Sequence, residues 1–125
     1  MNMQTEPTTI LTNILQHDDF IFALCSFVDA FKISNNKTAL IAVPPVAYTH
    51  AKENACILAA SVHKLANDYG VDVPKWVNDP AYKMPHPVFA FNTTNEEYQR
   101  FLLEDTPFEF ASKNIFHGAN AIERV

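Results

Sequence analysis

Four of the eight prolines in this chain fall between Val71 and Phe91, so that stretch can be neither a long helix nor a central strand. Proline has no N–H to donate and pushes the residue before it toward extended backbone. The segment is expected to run as an irregular strap with a short turn around Trp76, pinned by Trp76, Tyr82 and Phe89. It divides a first part with long apolar periodicity from a C-terminal part with its own helix signals.

In the first part, Pro7 stands where a helix can begin, and Ile10, Leu11, Ile14 and Leu15 repeat at helical spacing up to about His17. Asp18 or Asp19 can cap a second helix, whose apolar stripe is Phe20, Leu24, Phe27, Val28 and Phe31, with Ser34-Asn35-Asn36 ending it. Ala39 to Val43 is an apolar run too short for its period to separate helix from strand, and Pro44-Pro45 closes it. The longest helix is expected from about Val46 to Tyr69, with Gly70 at the position of a left-handed C-terminal cap. Its stripe is Ala47, Ala51, Ala55, Leu58, Val62, Leu65 and Tyr69. Because the run from Ala55 to Ala60 is apolar all round, this is the helix expected to be covered on more than one face.

Beyond the strap, Thr94 with Glu97 and Thr106 with Glu109 both match the capping-box pattern, the second with Pro107 at its first helical position. The first box predicts a helix carrying Tyr98, Phe101 and Leu102. The second predicts one that turns Phe108, Ala111 and Ile115 inward and ends at His117-Gly118, before a tail whose Ala119, Ala121, Ile122 and Val125 could still pack. The resulting fold class is all-α, a single domain over residues 1–125 built as a bundle of five to six helices with one proline-rich irregular strap. At 125 residues, 48% of them hydrophobic and ten of them phenylalanine, the chain can bury roughly two-thirds of its unfolded surface without metals or disulfides.

Several function classes are disfavoured. The net charge is −5 and the nine basic residues are scattered, whereas nucleic-acid binding needs clustered Lys and Arg to neutralise phosphates, so no nucleic-acid partner is expected. With Gly70 and Gly118 as the two glycines, no phosphate-binding glycine-rich loop can be written, and GxSxG, HExxH and CxxC are absent. No catalytic residue, cofactor or metal is assigned. Cys25 and Cys56 read as reduced core thiols. There is neither a signal peptide nor an apolar run of about 18 residues, so the expected location is cytoplasmic with no membrane partner, and the sequons at Asn36 and Asn92 carry no weight.

Among the five histidines, His50 and His63 share the long helix but lie on nearly opposite sides of it. His50 and Glu53 are one turn apart, a spacing common on solvated helix faces. His86 between two prolines and His117 beside a glycine could line a cleft under the strap, which is the basis of an alternative reading as a small ligand-binding protein or enzyme. Glu96 and Glu97 suit the first turn of a helix, while Glu104-Asp105 at its far end does not and could face a basic partner.

The aromatic residues carry the main functional expectation. Phe108 and Phe110 point in different directions from a helix, which leaves one of them with no obvious place in the chain's own core, so that either the strap covers it or it anchors another protein. Aromatic residues in that position are characteristic of interface cores. Trp76, Phe108, Phe110, Asn114 and Phe116 are therefore the positions expected to form or organise a protein interface.

Val73-Pro74-Lys75-Trp76-Val77, Pro85/Pro87-Val88-Phe89, Thr106-Pro107-Phe108-Glu109-Phe110, Asn114-Ile115-Phe116 and the ending from Ala119 to Val125 together resemble a family of small uncharacterised bacterial all-helical proteins. In it, P-x-W and P-x-x-F-x-x-x-N-I-F steps occur in this order, and the resemblance covers about Ala51 to Val125. Members tend to be encoded beside nucleotidyltransferase-like proteins, which implies a protein partner encoded by a neighbouring gene and an antitoxin-like role. Related chains carry arginines between the Phe and the Asn, where this one has Ala111-Ser112-Lys113. The resemblance supplies no catalytic residues.

Overall fold

A computed structural model describes residues 7–45 and 52–119. Six α-helices are present among them: α1 (Pro7–Gln16), α2 (Phe20–Ile33), α3 (Lys37–Ile41), α4 (Lys52–Asp68), α5 (Glu96–Asp105) and α6 (Phe108–Ala111). The expected all-α class holds, with one small addition: β1 (Val88–Phe89) and β2 (Ile115–Phe116) pair in parallel, Val88 opposite Ile115 and Phe89 opposite Phe116. Among the described residues no helix is long and apolar enough to cross a membrane.

The core is organised around α4. Every residue from Ala55 to His63 is buried, together with Leu65 and Ala66. More than two turns enclosed on all sides require neighbours all round, and α1, α2, α6 and the strap supply them. Helix α2 contributes the expected stripe of Phe20, Leu24, Phe27, Val28 and Phe31. Its cap is Asp19, whose Oδ1 accepts from the Phe22 N–H at 3.0 Å. The short apolar run after it is helical, and Ile41 in α3 is fully buried. Gly70, at φ 69°, ends α4 with the Val71 N–H donating back to the Ala66 carbonyl at 3.0 Å, the 6→1 bond of a Schellman motif. Ala47, Ala51, the start of the helix near Val46, His50, and Ala121, Ile122 and Val125 of the tail lie outside the described residues.

The strap is fastened by polar bonds at each bend. Two 3-10 turns, Lys75–Asn78 and Pro80–Tyr82, carry Trp76 and Tyr82, whose rings meet edge to face at 5.2 Å. The Trp76 indole N–H donates to the Ile41 carbonyl, and the Lys52 ammonium to the Ala81 carbonyl, both at 2.9 Å. Further on, the Met84 and Val88 N–H groups donate to the carbonyls of Lys113 and Asn114. The strap and the C-terminal segment are thereby one docked unit lying over α4.

Both capping boxes resolve differently from expectation. Asn95 caps α5, its Oδ1 accepting from the Tyr98 N–H at 2.8 Å, in place of Thr94. Asparagine caps at least as well as threonine, and here the Thr93 hydroxyl orients it by accepting from the Asn95 N–H at 3.1 Å. Thr106 does not cap α6. Its Oγ1 accepts from the Gly118 N–H at 3.0 Å, while the Asp105 carboxylate accepts from the Ala119 N–H at 2.8 Å. This pair ties the chain beyond β2 to the end of α5, which gives Asp105 a structural task.

Candidate interaction surface

The helix expected to run to His117 stops at Ala111, and that early stop sets the orientation of every aromatic residue after it. Asn114 takes up φ 63°, a left-handed conformation that asparagine tolerates better than most residues. Its Nδ2 donates to the Met84 carbonyl at 2.7 Å while its own carbonyl accepts from Val88, so it joins the strap to β2. Phe110 is thereby turned into the core at 0% exposure. Phe116 stacks on Phe89 with centroids 5.6 Å apart, within a small second cluster with Ala90 and Leu102. Trp76 is half-buried and hydrogen-bonded as described. The inward orientation expected for Phe108 is overturned: 69% of it is exposed, its ring edge-on to His63 at 6.0 Å. Of the five positions singled out, four hold the surface together and one projects from it.

Beneath Phe108 lies a polar group that helical periodicity only half reveals. Cys56 and His63 are seven residues apart on one face of α4, with Asn67 one turn further, but nothing in the sequence marks Lys113 as buried. His63 is 8% exposed and Lys113 4%. The Lys113 ammonium donates to the Val77 carbonyl, and burial lowers its pKa despite the opposing influence of Cys56. Burial also lowers the His63 pKa, with the Lys113 charge adding to the effect and Glu109 opposing it, and His63 Nδ1 has no hydrogen-bond partner. Burial pushes the Glu109 carboxyl upward, but the hydrogen bond from Asn67 Nδ2 at 2.8 Å, its own backbone, Lys64 and His63 together hold it below its ordinary value. Burial raises the Cys56 pKa against the pull of Lys52 and Lys113, so the thiol stays protonated, the state of an inert structural cysteine. The group is a packed support for α6.

A second exposed aromatic was not singled out by the sequence. Phe91 is 91% exposed and sits at φ 57°, followed by Asn92 at φ 52°. A bulky side chain in that conformation costs about 1–2 kcal/mol locally, and here its ring stays in solvent. On either side of it in the chain, Phe89 and Asn92 line an open cleft of about 340 Å³, with Glu53, Val88, Thr93 and Gln99. On α5, Tyr98 and Phe101 stack nearly parallel at 6.3 Å, and Phe101 and Leu103 are exposed.

The histidines expected near a cleft are not brought together. His86 is exposed on the strap, and His117 is half-buried beyond β2, its pKa lowered by burial against the raising effect of Glu53. Neither lines the cleft beside Phe91. Among the described residues no group of three or more His, Cys, Asp or Glu side chains is placed to hold a metal ion. No family model, curated protein or solved structure matches this chain.

Proposed function

We propose that this chain is a non-enzymatic protein-interaction module whose anchors are Phe91 and Phe108, held in place by Trp76, Phe110, Asn114 and Phe116. The observation that carries the reading is Phe91, a phenylalanine kept in solvent on a left-handed backbone, where glycine or asparagine would relieve the backbone cost and leave no exposed ring. Phe108 adds a second ring, braced by a packed polar support. The segments carrying the two rings lie beside Glu53 and His63, ten positions apart on α4 and so about 15 Å along its axis, within the span of one ordinary interface. The resemblance to helical proteins encoded beside nucleotidyltransferase-like genes names the first partner to try and the antitoxin-like role that would follow.

The test is co-expression with the product of the neighbouring gene, with affinity measured for Phe91→Ser and Phe108→Ser. Each substitution is expected to weaken binding by about tenfold or more while the helical circular dichroism and melting temperature hold. Unchanged affinity in both variants refutes the assignment of the anchors.

A further inference from the structure

The cleft beside Phe91 is lined by one carboxylate and two side-chain amides, Glu53, Asn92 and Gln99, and this sets what it can bind. Gln99 Nε2 donates to the Thr93 carbonyl at 2.9 Å, which fixes the amide and leaves its Oε1 as the free end. Among the described residues the Asn92 side chain makes no hydrogen bond and Glu53 makes no hydrogen bond or ion pair, while the Glu53 charge opposes the lowering of the His117 pKa and His50, one turn before Glu53, lies outside those residues. Lys52, the cation next to Glu53 in sequence, is held by the Ala81 carbonyl. Glu96 lies three residues before Gln99 on the same side of α5, with the opposite charge of Arg100 one turn after it, in a chain of net charge −5. The cleft thus offers one carboxylate, the Gln99 amide oxygen and the Asn92 side-chain amide, with the ring of Phe89 in its wall and that of Phe91 next to it in the chain.

We propose that this cleft receives the guanidinium of an arginine side chain. Guanidinium carries five donors and no acceptor, stacks on aromatic faces, and is weakly enough hydrated to leave water for such a site, whereas a neutral amide would bring an acceptor toward the Glu53 carboxylate. That the arginine belongs to a protein partner rests on the interaction reading above. The cleft's preference for the guanidinium does not.

Titrating the full-length chain with acetyl-Gly-Arg-Gly-amide, followed by amide resonances in ¹⁵N NMR, is expected to shift Val88, Asn92 and Gln99 with a dissociation constant on the order of 1 mM. The isosteric citrulline peptide is expected to leave them in place, and Glu53→Gln to weaken the arginine peptide severalfold. Equal shifts with citrulline, or undiminished binding to Glu53→Gln, overturn the proposal. The neighbouring-gene product separates the two readings. Wild-type binding to it that Glu53→Gln leaves intact refutes the placement of that partner's arginine in the cleft and keeps the module. Peptide binding without any partner complex refutes that partner and keeps the cleft.

Discussion

Replacing His63 by leucine removes a buried imidazole nitrogen that has no partner, on the most enclosed helix of the protein. An unsatisfied buried polar group costs about 1–3 kcal/mol, and an apolar side chain of similar size avoids that cost. Against the gain stands the lost edge-to-face contact with Phe108, worth about 0.5–1.5 kcal/mol and weakened here because Phe108 is mostly in water. The balance is about 1 kcal/mol of added stability at pH 7, or about 3–5 °C in melting temperature for a chain of this length. The pH dependence supplies a second reading. The folded-state pKa of His63 is depressed, so below about pH 6.5 the unfolded chain binds more protons than the folded one. The stability held at pH 7 is therefore lost as pH falls from about 6.5 toward the folded value, and His117, depressed in the same direction, contributes likewise. Urea unfolding at pH 7.5, 6.5 and 5.5 should show His63→Leu more stable than wild type, with a shallower loss toward acid. A variant destabilised by more than about 1 kcal/mol, or one with the wild-type acid slope, would refute the reasoning.

The corrected cap of α5 predicts that Asn95→Ala costs about 1 kcal/mol in denaturant unfolding while Thr94→Ala changes little; the reverse order would restore the capping box. Asn114→Ala should cost about 1–3 kcal/mol by thermal unfolding, since it loses both the bond to Met84 and the tolerance of φ 63°, and Asn114→Gly should cost less because it keeps the backbone. Phe110→Ala should cost about 3–5 kcal/mol, against less than about 1 for Phe108→Ser, so the two neighbouring phenylalanines separate by stability alone.

The elements legible in the sequence are those whose pattern is local. Phe20, Leu24, Phe27, Val28 and Phe31 form a stripe because helical geometry alone stacks residues three and four apart, and Gly70 ends α4 because a left-handed cap costs glycine nothing. The all-round apolar character of Ala55 to Ala60 likewise implied a helix covered on more than one face, and the strap's irregularity followed from its prolines. Tertiary contacts decided the rest. Thr106 met a capping pattern, yet its hydroxyl went to Gly118, twelve residues away, a competitor that a four-residue motif cannot register. The C-terminal helix stopped at Ala111 because Asn114 serves two strap groups at once, and only that junction decided which phenylalanine entered the core. The burial of Lys113 has the same origin: its ammonium is held by the Val77 carbonyl, 36 positions away, and composition and period carry no record of that distance.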